Sequence, residues 1–170
     1  MLDICRERLG DVDTLAEVID VVKTSARALM GAAGATVVLR EDDTCFYADE
    51  DSIAPLWKGQ RFPISDCISG WAMLHARPAV IPDIYADDRI PHELYRPTFV
   101  VALAMVPIGL PTPRGAIGAY WARRWEPDDA DVEALQQLAD AAAAALDRVG
   151  FDEAPWAPNF ALSAQSSNPT

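Results

Sequence analysis

The ten residues 99–108, FVVALAMVPI, constrain this chain most. A strand points successive side chains to opposite faces, so a run apolar at both odd and even positions must lie in a sheet covered on both sides. After the turn GLPTPRG, the segment GAIGAYWA supplies an antiparallel neighbour. The remaining chain therefore has to provide two covers, one for each face.

The first cover is helical. From Asp11 to Ala33, Val12, Leu15, Ile19, Val22, Ala26, Leu29 and Ala33 recur at steps of three and four, which predicts one helix ended by Gly34. Val18, Val21, Ala28 and Ala32 make a second stripe, so this helix should cover the sheet and also meet another helix. Its partner is PDDADVEALQQLADAAAAALDRVG, capped by Asp128 or Asp129, with Arg148 near its end and Gly150 as its stop. Between the two helices, ATVVLR and TCFYAD joined by EDD read as a hairpin. QRFPI reads as a short edge strand, because Pro63 is tolerated only at a sheet margin.

The second cover is less regular. SGWAMLHA is long enough for a two-turn helix, with Ser65, Asp66 or Ser69 as its cap. PAVIPDIYADDRIP reads as a brief strand running into a loop. The fold class is thus α+β, a mostly antiparallel central sheet with the terminal helices on one face and a ligand pocket on the other, under the short helix and the loop. Residues 1–11 read as a leader, 12–149 as the single domain, and the Pro-, Ser- and Ala-rich 150–170 as a flexible tail.

The formal net charge is −12, and no basic stripe balances it. That disfavours nucleic acid and anionic membrane surfaces as partners. No apolar run approaches the ~20 residues of a spanning helix, and MLDICRERLG lacks the basic and apolar parts of a secretion signal. The cysteines Cys5, Cys45 and Cys67 are odd in number and lack the pair spacing of a zinc site. The expectation is a cytoplasmic, reduced, metal-free protein.

The order of elements, filled with CISGWAMLHARPAVIPDI and with FVVALAMVPI…GAIGAYWA, resembles a GAF domain over about residues 12–149. APLWKGQRFPISDCISGWAM with DIYADDRI and YRPTFVVALAMVPI is similar, more narrowly, to the sensory GAF modules of HWE-type histidine kinases. The resemblance implies a sensor of a small molecule or chromophore in two-component signal transduction, dimeric through its terminal helices. The chain shows no phosphoacceptor or ATP-binding region, and Gly150 with the prolines after it interrupts the helix that would continue into an output domain. Action in trans, on a separate signalling kinase, is expected; the alternative is a fragment of a sensor kinase.

Three better-defined chemistries of such domains can be tried against the residues. Bilin-binding members carry a Cys-His pair with a tyrosine three residues later; IPHELY offers His92 and Tyr95, but Pro91 stands where the thiol belongs, so no covalent bilin is expected. A noncovalent aromatic ligand near His92 and Tyr95 stays open, against a histidine merely exposed on a loop. Cyclic-nucleotide members carry an Asn-Lys signature that is absent here. Free methionine sulfoxide reductases are the serious alternative, with Cys67 as the thiol. Yet Ser69, not cysteine, precedes Gly70, the loop DDRIPHELY has no resolving cysteine, and Cys45 could serve only if the hairpin brought it close.

Cys67 lies near a helix N-terminus, which favours a thiolate, and beside Asp66, which opposes one. It reads as pocket wall or core rather than catalyst. Trp71 and Met73 fall on opposite sides of the short helix, so at most one faces the pocket. Asp83 reads as a loop cap or a ligand contact, and Tyr85, Phe99 and Tyr120 as candidate pocket aromatics. His75 without a partner motif is weak evidence for haem.

Overall fold

The apolar run becomes strand β5 (Ala102–Ile108), and all seven of its residues are buried. In the computed structural model, which describes residues 1–151, six strands form one sheet in the order β3-β2-β1-β6-β5-β4. The others are β1 (Gly34–Glu41), β2 (Thr44–Ser52), β3 (Arg61–Pro63), β4 (Ala79–Ile81) and β6 (Gly115–Trp121). Every neighbouring pair is antiparallel. The expected α+β architecture is therefore present, with QRFPI at one edge. Of the tail expected over 150–170, all but the first two residues lie outside the described residues.

One face of the sheet carries Ala35, Val37, Leu39, Phe46, Ala48, Ala102, Ala104, Val106, Ile117, Ala119 and Trp121. It packs on helices α2 (Leu15–Met30) and α5 (Asp129–Val149). Asp128 caps α5 by accepting from the Asp131 N–H at 2.8 Å, and Gly150 ends it in the left-handed conformation. The small side chains Ala139, Ala142 and Ala145 let this helix lie close to its neighbours.

The helix expected over 11–33 is α2 alone, shorter at both ends, and the chain before it forms a helix of its own. Helix α1 (Leu2–Asp11) ends, the chain is extended at Val12, and α2 starts afresh at Leu15. Thr14 Oγ1 accepts from the Glu17 N–H at 3.2 Å, while the Glu17 carboxylate accepts from the Thr14 N–H at 2.9 Å. This reciprocal cap fixes the break. Gly31, not Gly34, closes α2 in the left-handed conformation, and Gly34 opens β1. Residues 1–11, expected as a leader, thus form a helix that buries Cys5 and Leu9 against α2 and α5. The second stripe is partly consumed here: Val18 and Val21 are buried within this helical layer, whereas Ala28 stays exposed. Arg148 ties the layer together, donating from Nη2 to the carbonyls of Leu9 and Val12.

The second face carries the alternate residues Val38, Cys45, Tyr47, Leu103, Met105, Ala116 and Tyr120. Its cover is helix α3 (Ile68–His75), helix α4 (His92–Tyr95) and the loops around them. No helix among the described residues is long and apolar enough to cross a membrane.

Candidate functional site

The second face is an aromatic layer. Trp57, on the irregular segment between β2 and β3, stands at ring-centroid distances of 4.6 Å from Tyr95, 5.6 Å from Tyr120 and 5.6 Å from Tyr47. Phe62 meets Tyr47 edge-on at 5.5 Å. All but Phe62 are buried. The segment carrying Trp57 is pinned at both sides: the Glu50 carboxylate accepts from the Leu56 and Lys58 N–H groups, and the indole donates to the Leu94 carbonyl at 3.2 Å. Burial pushes the hydroxyls of Tyr47, Tyr95 and Tyr120 up, so all three are neutral at physiological pH.

Within this apolar layer runs a short polar chain. The Tyr47 hydroxyl lies 3.1 Å from Ser69 Oγ, which donates to Cys67 Sγ at 3.3 Å. On the far side, the Tyr120 hydroxyl and Thr36 Oγ1 are 2.9 Å apart, in space left by Gly118, where a Cβ would stand 2.4 Å from that hydroxyl.

Cys67 is itself the N-cap residue of α3, with no side-chain cap bond. A short 3-10 turn (Ile64–Asp66) leads into it, and Gly70 is required there, because a Cβ would meet the Ile64 carbonyl oxygen at 1.7 Å. Strand β3 pairs Phe62 with Cys45, and the turn that follows folds Cys67 back over β2, so the two thiols become neighbours in the same buried cluster. In the thiol form Cys67 donates to the Pro63 carbonyl at 3.6 Å. The Cys45 thiol, then the Ser69 hydroxyl and the Gly70 N–H, hold the Cys67 thiol down to about 7, against burial and the Asp66 carboxylate. Cys45 is pushed up in return, by its bond to Cys67 and by burial. The pair acts as a unit: Cys67 takes the negative charge and Cys45 keeps the proton.

The residues singled out from sequence divide into two places. Cys67, Tyr95 and Tyr120 are buried in the aromatic layer, with Phe99 and Trp71 partly buried against its edge. The other three sit in the outer loop. Asp83 accepts from the Tyr85 N–H at 3.0 Å and pairs with Arg124 at 3.0 Å. Tyr85 is 53% exposed. His92 Nε2 donates to the carbonyls of Ile84 and Asp87, at 2.9 and 3.2 Å, so it staples the loop and is not simply solvated.

Trp71 already has company: His75 stacks at 4.3 Å, and the Arg89 guanidinium sits 4.5 Å from the ring centroid. Met73, on the opposite side, is buried. Sequence reasoning missed Tyr47, Trp57, Ser69 and the contact of Cys45. Alternation along TCFYAD puts Cys45 and Tyr47 on the same face and would have found two of them. Nothing local marks Trp57.

Comparison with known proteins follows the same lines. No curated protein sequence matches the chain. Among solved structures, the GAF domain from a phosphoenolpyruvate-protein phosphotransferase of Coxiella burnetii superposes with a TM-score of 0.78 at 12% identity, over 88% of this chain and 92% of that one. A free methionine-R-sulfoxide reductase from Neisseria meningitidis, solved with its substrate, gives 0.74 at 17% identity, over 88% and 87%. The GAF-B domain of DevS from Mycobacterium smegmatis gives 0.63 at 18%, over 89% and 96%. At such identities these likenesses speak to the fold alone. The family model described as GAF domain matches residues 12–147, and with that match over the whole sheet and both of its covers, the chain belongs to the GAF domain family.

Proposed function

We propose that this GAF domain is a sensory module that takes a small, ring-containing ligand into its aromatic layer and reports through its terminal helices. One observation carries this reading. The layer of Tyr47, Trp57, Tyr95 and Tyr120 is a predominantly apolar site with a few convergent hydroxyls, which is the usual make-up of a small-molecule site. Trp57 occupies its centre from a segment without regular structure. A ligand therefore enters by displacing that indole, and the movement of residues 53–60 is the first event of signalling. The partners that fit are a second copy of the chain, against the outer sides of α1 and α5, and a separate signalling kinase of the HWE type, in the cytoplasm. Exposed Met1 and Ile4 on the α1 side support the first.

Native mass spectrometry of the freshly purified protein tests the ligand. A retained small molecule that leaves on denaturation, and whose removal changes tryptophan emission, is expected. A chain mass with nothing bound, unchanged by any small molecule of a metabolite panel, would refute it. Light scattering should give twice 18.5 kDa; a monomer at high concentration refutes the dimer.

The contact of Cys45 with Cys67 favours a second reading, a free methionine sulfoxide reductase with Cys67 as the attacking thiol and Cys45 as its resolving partner. Turnover of free methionine sulfoxide with a thioredoxin-type reductant, lost in Cys67→Ser, would establish it.

A further inference from the structure

We propose that Cys45 and Cys67 form a peroxide-responsive dithiol, which closes to an intramolecular disulfide and locks the N-terminus of α3 to strand β2. The observations are geometric. The two thiols come from separate elements, β2 and the residue capping α3, and are brought together by the β2–β3 pairing and the turn that follows it. Cys67 Sγ is held from two sides, accepting from Ser69 Oγ at 3.3 Å and lying 3.6 Å from the carbonyl oxygen of Pro63, in the strand that pairs with β2 beside Cys45. Cys67 is the outer member, 6% exposed, and Cys45 is fully enclosed behind it. Cys5 lies in the other core, beyond the sheet.

Order of reaction follows from the arrangement. The Cys67 thiolate attacks one oxygen of hydrogen peroxide; the O–O bond breaks, and the leaving hydroxide takes a proton to become water. Cys67 is then a sulfenic acid. The Cys45 sulfur attacks that sulfur, the S–O bond breaks, and the Cys45 proton leaves with the hydroxyl as a second water. Two thiols are oxidised and one peroxide is reduced to two waters. The lowered proton affinity of Cys67 and the raised one of Cys45 assign attack to the first and resolution to the second. Reduction by a small dithiol reverses the step. The disulfide withdraws Cys67 from Ser69, whose other partner is Tyr47, so the oxidation state is read at the edge of the aromatic layer.

This inference does not rest on the ligand reading, which native mass spectrometry tests separately. Wild-type protein is treated with hydrogen peroxide, blocked with an alkylating agent in denaturant, digested and weighed. The expected product is a linked pair of peptides carrying Cys45 and Cys67, lighter by two hydrogens than its reduced parts, abolished by dithiothreitol, with Cys5 fully alkylated. Cys45→Ser is expected to accumulate a Cys67 sulfenic acid that dimedone traps. Absence of the link in the wild-type protein overturns the proposal, as does a link through Cys5 or between two chains. A link formed by free methionine sulfoxide but not by peroxide also overturns it, and supports the reductase instead.

Discussion

The Trp57 ring lies 4.6 Å from the Tyr95 ring, and its nitrogen donates to the carbonyl of Leu94, the residue just before that tyrosine. One side chain on an irregular segment thereby holds α4 to the sheet. Trp57→Ala is expected to cost about 3–5 kcal/mol, as large aromatic truncations in a core do. Trp57→Phe keeps the ring contacts and gives up one hydrogen bond, at about 1 kcal/mol. Denaturant unfolding of both variants checks the order. A loss below about 1 kcal/mol for the alanine would show that this segment contributes nothing to the core.

Gly70 admits no side chain. Its Cβ would stand 1.7 Å from a backbone oxygen, not from the flexible end of a side chain, so α3 or the 3-10 turn before it must move. Gly70→Ala should destabilise by more than the ~1–3 kcal/mol usual for overpacking. Gly10→Ala is the control: it meets nothing within 4 Å and lies within α1, where alanine gains up to about 1 kcal/mol over glycine. Thermal unfolding should move in opposite directions for the two.

Alkylation of Cys67 should follow its ionisation. Its rate is expected to rise with pH about a midpoint near 7, below the ~8.5 of an ordinary thiol. The sign is fixed by the thiolate being the nucleophile, which accumulates as pH rises. Cys45→Ala removes the main donor to that thiolate, so the midpoint should climb. An unchanged midpoint in this variant would show that the two sulfurs do not interact.

Asp49 should keep its charge further into acid than an ordinary carboxylate. Burial works against its charge, but Lys23 at 2.6 Å, Lys58 at 2.9 Å and the Glu50 N–H outweigh it and hold the carboxyl below the usual carboxylate range. A carboxyl whose folded value is depressed stabilises the fold above the unfolded value of ~3.9, and that contribution is lost as pH falls through the folded value. Lys23→Met should therefore shift acid unfolding to higher pH, while costing only about 1 kcal/mol at neutrality because the pair is partly exposed. Circular dichroism across an acid titration reads this directly.

The sheet and its two covers were legible because burial on both faces leaves an unmistakable run, as at 99–108, and because α5 carries its cap and its stop in the open. The break between α1 and α2 was not. The expected helix begins at Asp11, ahead of the Thr14–Glu17 cap that sets its start, and residues 1–11 read as a leader, so neither side of the break was marked. At the site, Tyr95 and Tyr120 could be picked out as aromatics near the pocket, but not the contact through Trp57, which depends on where an irregular segment folds. Cys45 could be offered to Cys67 only as a conditional partner, because it lies 22 positions earlier in sequence and comes near only through strand pairing. Trp71 was set against Met73 as the side chain that could face the pocket, yet its ring is already flanked by His75 and Arg89.

Arg148 gives the helical layer a mechanical property that no single element has. Its guanidinium holds two carbonyls at the joint between α1 and α2, while its backbone belongs to the last turn of α5. The final turn of the domain and its first corner therefore turn as one node. A twist applied to α5 at Gly150 is carried into α1 and along α2, whose Lys23 and Arg27 are paired to Asp49 and Asp51 of β2. Beyond those pairs lies the strand that carries Cys45 and Tyr47, so torque at the end of α5 and a change in the aromatic layer act on the same lever from opposite ends.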